Sequence, residues 1–408
     1  MRLSNADRQG YPIASHSATA PVTVSWDHEG TSTTAIWLSA NSRRAPAHIV
    51  VADDRLSADA AMRHAARGTA MLWTGDFHNA KQLLAAMDRR MAAANAAKAS
   101  SAKAKKKVLD DAQKFYAIRQ ARAQRSRMLS LILVPLDFQA EDGLAALDLP
   151  RAPIVGPAVA FGYEQAADLA GHRAVASLQE LAGMLSAHQW FLKGVDVPAL
   201  GAKIHPAYGT FMPTRQEYVD LVAVAPLEDL SLAFDIGTGT GVLSAVLARR
   251  GVKQVIGTDI HQRAVDCAND NFARLGISGA ARAQLTSMFP EGRAPLVVCN
   301  PPWLPGSAPS TLDAAIYDPE SKMLMQFLRG LPGHLTENGE GWLIISDLAE
   351  LLGLRTRALL LEAIEAAGLE VIDKIDTAPR HHRAQDAQDV LHAARSKEVT
   401  SLWRLKAK

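Results

Sequence analysis

The chain has 408 residues, 48% of them hydrophobic and 21% charged, with a formal net charge of +2. That length predicts two domains, each with enough apolar material for a core, and the near-neutral charge names no partner. No apolar run approaches the ~18 residues of a membrane span, and two cysteines (Cys267 and Cys299) are too few for a disulfide framework or a thiolate metal site.

Residues 1–20, polar and mixed, are expected to be loosely ordered. They lack the apolar centre of a secretory signal, so a cytoplasmic location is expected. Residues 21–195 predict an α/β domain, substrate-binding or degenerate, with strands at "AHIVVADD" (47–54), "TAMLWTG" (69–75) and "LSLILVPLD" (129–137). Helical spacing runs through Phe77, Leu83, Leu84 and Met87. From Arg89 to Arg127 lysines and arginines, including Lys103, Lys105, Lys106 and Lys107, face few acids. This basic arm (89–128) predicts a helix pair, or a helix interrupted by a linker near 95–106. Its Phe115 and Tyr116 suit stacking beside a phosphate backbone, so RNA is a candidate partner, although charged runs are equally often solvated surface.

"DVPALGAKIHPAYGTFMPTR" is rich in Pro and Gly and reads as a connection between domains. Across 205–408 the pattern turns regular. Strands are predicted at 230–236, 254–259, 281–286, 295–300, 341–346, 369–376 and 398–405, and helices at 241–250, 262–274, 320–335 and 354–367. Seven strands alternating with helices predict an α/β, doubly wound, mostly parallel sheet. The last two strands predict an antiparallel hairpin at its edge.

"AFDIGTGTGVLS" places Gly237, Gly239 and Gly241 between a strand and a helix, where the turn needs positive φ and close backbone approach. The spacing is G-x-G-x-G, not the G-x-G-x-x-G of a dinucleotide fingerprint, whose third glycine position holds Val242 here, so a nicotinamide oxidoreductase is disfavoured by this spacing and by the NPPW stretch. Asp259 closes the next strand, where an acid accepts hydrogen bonds from ribose hydroxyls. Asp235 adds a second carboxylate at the same rim. Two carboxylates repel a pyrophosphate and favour a cationic tail, so the pattern points to a nucleoside without phosphates. A tight turn with a capping acid would explain the glycines alone, but not the glycines together with both acids.

"VVCNPPWLPG" leaves a strand through an amide, two prolines and an indole. Asn300 offers a side-chain carbonyl and Pro301 a backbone carbonyl, and two converging acceptors suit an NH₂ group. Accepting both hydrogens of a planar nitrogen can point its lone pair at an electrophile. Pro301 and Pro302 hold the acceptors still, and Trp303 is expected to stack on the flat substrate.

"FDIGTGTGVLS", "VIGTDI" and "VVCNPPW" resemble motifs I, II and IV of the class I S-adenosylmethionine-dependent methyltransferases, in that order, over about half the chain. The resemblance implies a Rossmann-like fold and S-adenosylmethionine as cofactor. It assigns Asp235, Gly237, Thr238, Gly239 and Gly241 to the methionine end and Asp259, followed by Ile260, to the ribose, with Asn300 beside the donor. Ser287 stands where relatives often carry an acid or Asn beside the adenine. NPPW is similar to the [N/D/S]-P-P-[Y/F/W] motif of enzymes that methylate planar nitrogens.

The basic arm, with a similarity to small-domain ribosomal RNA guanine methyltransferases, makes an RNA base the first expected acceptor. A protein glutamine is the competing one, through the resemblance of "FMPTRQEYVDL" to release-factor glutamine methyltransferases. There, Phe211, Pro213 and Glu217 resemble a segment that closes the cofactor pocket, at a helix expected to start near Thr214. DNA adenine would need a target-recognition region that the sequence lacks, and a non-catalytic RNA-binding module is opposed by the intact Asp235, Asp259 and Asn300. Among other residues, Tyr317 is a candidate substrate wall and Asp318 a helix cap. His381, His382 and His392 lack a metal-ligand pattern and are expected to be exposed, Cys299 to be inert in a buried strand, and Trp342 and Trp403 to pack the sheet.

Overall fold

The computed structural model describes residues 21–100, 109–308, 311–380, 386 and 389–408. Residues 1–20, the four lysines Lys103, Lys105, Lys106 and Lys107, and His381 and His382 lie outside the described residues. The described residues divide into two compact units, one containing residues 21–100 and Ala117–Gln189, the other Leu109–Tyr116 and the described residues from Trp190 to Lys408. Among the described residues no helix is long and apolar enough to cross a membrane.

The first unit is built on a mixed sheet of β1 (Thr23–His28), β2 (Thr31–Leu38), β3 (Ile49–Ala52), β4 (Ala70–Trp73), β5 (Ile132–Phe138), β6 (Ala145–Leu147) and β7 (Arg173–Ser177). Its order is β1-β2-β7-β5-β4-β3, with β6 paired to β5. The predicted strands 47–54, 69–75 and 129–137 are β3, β4 and β5. The β1–β2 hairpin turns on Glu29 and Gly30, both at positive φ (50° and 77°), the two-residue geometry whose twist matches that of the flanking strands.

The basic arm forms helices Phe77–Ser100 and Asp111–Leu129. Part of its charge has partners: Arg90 pairs with Asp59 at 3.0 Å, Lys114 with Asp111 at 2.8 Å, and Arg125 with Asp88. Phe115 is only 3% exposed, so it packs inside and is not available for base stacking, whereas Tyr116 is 53% exposed. Among the described residues the stripe is therefore less cationic and less aromatic at its surface than its composition suggests.

In the second unit the expected connection carries a small ribbon, β8 (Val195–Val197) with β9 (Ala202–Ile204). Val197, Leu200 and Ile204 join the apolar core, which is why this Pro- and Gly-rich stretch is ordered structure. The main sheet contains β10 (Leu232–Ile236), β11 (Gln254–Asp259), β12 (Ala281–Leu285), β13 (Ala294–Cys299), β14 (Leu335–Ser346), β15 (Leu369–Thr377) and β16 (Thr400–Ala407). Their order is β12-β11-β10-β13-β14-β16-β15. The first five are parallel, and β16 runs antiparallel to both β14 and β15. The last strand in sequence is thus inserted inside the sheet, and β15 takes the edge.

Alternate residues supply two cores, as expected for strands covered on both faces. Ala233, Leu296, Val298, Trp342 and Ile344 pack one side, and Phe234, Ile236, Val297, Cys299, Leu343 and Ile345 the other. Trp342 and Trp403 are buried as expected, and Cys299 is fully buried, which pushes its thiol pKa up and keeps it protonated.

Candidate active site

The chain runs from β10 out to β11 and β12, then crosses to β13 on the other side of β10. That reversal opens a crevice at the carboxyl ends of β10 and β13, where open α/β sheets take ligands. Register aligns Thr258, Ile236 and Cys299 across β11, β10 and β13. The residues that follow them in the chain are Asp259, Gly237 and Asn300. These three form a row along the lip, with neighbouring strands about 5 Å apart.

Asp235 is buried and works inward. Its Oδ2 accepts from Thr238 Oγ1 (2.7 Å), Ser244 Oγ (2.7 Å) and the Ser244 backbone N–H (3.1 Å). Helix Val242–Arg249 starts after Gly241, which has no side chain to cap it, so Asp235 supplies the missing acceptor. The expected role at the rim is therefore shared with a structural one: one oxygen braces the loop and the helix start.

Asp259 faces the loop. Its Oδ2 accepts from Gly239 N–H at 3.2 Å and its Oδ1 from His261 N–H at 3.0 Å. Burial pushes the carboxyl pKa of both Asp235 and Asp259 above the ordinary range, against the hydrogen bonds that lower it. Ile260, next in the chain, is 62% exposed and presents apolar surface beside Asp259. Ser287 is exposed in the loop after β12.

All three loop glycines adopt positive φ, between 55° and 78°. The Thr258 carbonyl accepts from both Gly237 and Thr238 N–H (2.9 Å each), and the Thr238 carbonyl accepts from Gly241 N–H at 2.8 Å. These amides are satisfied internally, unlike the outward-facing amides of a phosphate cradle. At Gly239 an added Cβ would meet no atom within 4 Å, so open space faces the loop there.

Strand β13 stops at Asn300 because Pro301 and Pro302 have no N–H for a ladder. The chain returns so that Leu304 bridges Tyr317, and Asp318 N–H donates to the Leu304 carbonyl at 2.9 Å. Asp318 caps the next helix as expected, accepting from Met323 and Leu324 N–H at 3.0 and 3.1 Å.

Trp303 makes two contacts that the sequence did not announce. Its Nε1–H donates to Asn300 Oδ1 at 2.8 Å, and the Arg215 guanidinium lies over its ring at 4.6 Å. With one face covered by the guanidinium, the half-buried indole is also part of the scaffold around Asn300. Arg215 itself was not among the expected site residues. It is reached from "FMPTRQE", whose helix begins at Glu217 and not near Thr214. Glu217 is buried and accepts from Arg380 N–H at 3.1 Å. Among the described residues no group of three or more acids, histidines and cysteines could hold a metal.

Residues 221–350 match the family model described as methyltransferase small domain. The chain is 28% identical over 181 residues to a release factor glutamine methyltransferase of Cereibacter sphaeroides, covering 41% of this chain and 63% of that one. It is 25% identical over 162 residues to a putative protein N5-glutamine methyltransferase of Methanocaldococcus jannaschii, covering 38% and 80%. A tRNA1(Val) (adenine(37)-N6)-methyltransferase of Shewanella sediminis is 28% identical over 149 residues, covering 34% and 61%. The chain thus spans less than two thirds of the first and third of these relatives.

Proposed function

We propose, from the premise that residues 221–350 are a methyltransferase small domain, that this chain transfers a methyl group from S-adenosylmethionine to a planar exocyclic nitrogen, and that the nitrogen belongs to an RNA base. The observation that carries the chemistry is the row of Asp259, Gly237 and Asn300 at the switch point of the sheet. The residues present fit the donor: an open backbone at Gly239, two carboxylates, and apolar Ile260 beside the acid. Asp259 would hold the ribose hydroxyls, and Asp235 with the Gly237–Gly241 loop the cationic tail. When bound, S-adenosylmethionine supplies a methyl on a sulfonium, whose neutral thioether leaves without an acid. Asn300 Oδ1 and the Pro301 carbonyl accept the two hydrogens of the acceptor NH₂. That leaves the nitrogen lone pair free to attack, and the surplus proton departs to solvent afterwards.

The RNA assignment is supported by the exposed cations Arg89, Arg122 and Arg127 on the basic arm and by the tRNA-modifying relative. A protein glutamine is the second reading, favoured by the two glutamine methyltransferase relatives. Tritiated donor added with the protein to extract of a strain lacking it is expected to label the RNA fraction. Label in protein alone would move the acceptor to glutamine.

Donor binding is expected to depend on pH with a definite sign. Asp235 must be ionised to attract the cationic tail and Asp259 to accept strongly from the ribose hydroxyls, and burial has raised both pKa values. Affinity is therefore full above these raised values and falls as pH drops through them, beginning above the usual carboxylate range. Calorimetric titration from neutral to mildly acidic pH checks this, with Asp259→Asn flattening the slope. A constant Kd over that interval in the parent protein would contradict the assignment.

A further inference from the structure

Arg215, Trp303 and Asn300 form a chain of contacts that none of the motifs accounts for. The Arg215 side chain is 18% exposed. It donates to Glu398 Oε1 through Nη1 at 3.1 Å and to Thr400 Oγ1 through Nη2 at 3.4 Å. A second carboxylate, Glu217, lies 3.6 Å from Nη2. Glu398 also accepts from Ser346 Oγ, at the end of β14, so the clamp is anchored to the central sheet. With its edge held in this way, the guanidinium plane lies over the Trp303 ring. The indole N–H can only donate, so it selects the oxygen end of the Asn300 amide. An amide oxygen carries two lone pairs, and the indole occupies one of them.

We propose that Arg215 is a positioning residue for methyl transfer: it fixes the Trp303 ring, and Trp303 in turn fixes the rotation of the Asn300 amide. The inference rests on the reading that Asn300 accepts from the acceptor nitrogen. Arginine is required because one planar group must meet a carboxylate at its edge and an aromatic ring at its face. A lysine keeps the charge beside Glu398 but supplies no plane to the ring.

Two readouts test the full chain. In a ¹⁵N-tryptophan-labelled sample the Trp303 indole signal is the one lost in Trp303→Phe. Its hydrogen exchange is expected to accelerate about tenfold in both Asn300→Ala and Arg215→Lys. Arg215→Lys and Trp303→Phe are each expected to lower kcat about 10- to 100-fold, with the KM for S-adenosylmethionine within about twofold of the parent. The double variant should lose no more than either single, since both break one linkage. Arg215→Lys with parental kcat, unchanged indole exchange in that variant, or losses that multiply in the double variant would each overturn the proposal. Trp303→Phe leaves the carboxylates paired with Arg215, so a folding defect from unpaired buried acids does not confuse that arm. Absence of methyl transfer by the parent on both RNA and protein defeats the functional reading instead. The exchange measurement still decides the linkage.

Discussion

An Asn300→Ala protein is expected to lose about 1,000-fold in methyl transfer while binding S-adenosylmethionine within about twofold of the parent. The reason is the placement of the amide. Asn300 follows β13 directly, beside the crevice, and the prolines after it remove backbone freedom at the point where an acceptor must hold still. Alanine removes one of two oxygens proposed to receive the hydrogens of the acceptor nitrogen, and the Pro301 carbonyl alone cannot orient its lone pair. Trp303 Nε1–H also loses its partner. Asn300→Asp keeps oxygen acceptors, so its loss should be smaller than that of alanine. Single-turnover rates beside calorimetric donor binding separate the two effects. A parallel fall in rate and in donor affinity for the alanine variant would reassign Asn300 to the cofactor.

The second large effect is expected at Gly241. It has φ of 78°, and an added Cβ would lie 2.6 Å from the Phe272 ring and 3.0 Å from Ala268. Gly241→Ala therefore combines about 1–2 kcal/mol of left-handed backbone strain with about 1–3 kcal/mol for displacing a packed core ring. Phe272 is 1% exposed and cannot swing into solvent. Gly239 provides the contrast within the same loop: its φ is 55°, yet no atom lies within 4 Å of the added carbon. Gly239→Ala should lose only the strain, about 1–2 kcal/mol, but fill space that the donor needs and weaken its binding about tenfold or more. Denaturant unfolding and donor titration of the two variants check the pair. Similar unfolding losses at both positions would show that the Phe272 contact does not control the first.

The parts of the site readable from sequence are those set by neighbours along the chain. A strand ending in Gly-x-Gly-x-Gly must turn tightly into a helix, and a strand ending in Asn-Pro-Pro must stop its ladder there. The predicted helix 262–274 matches Gln262–Arg274 because apolar periodicity is a local property. The β1–β2 hairpin was legible too, since Val24 and Trp26 alternate with polar residues before Glu29-Gly30, although the expectation drew no strands there.

Other features depend on contacts between distant segments, and no local pattern carries them. Phe115 sits in a basic, Ala-rich helix and would pass as an exposed ring, yet packing buries it. The position of β16 between β14 and β15 follows from antiparallel pairing across the sheet, not from the order of strands in the chain. Arg215 lies 183 residues from Glu398 in sequence, so nothing near "PTRQE" announces the clamp or the indole it covers. The amino-acid order by itself determined the loop, the two acids and the proline-stiffened amide, because short-range sterics and hydrogen bonding dictate them. Only the folded sheet decided which ring and which cation surround that amide, because those partners meet through long-range packing.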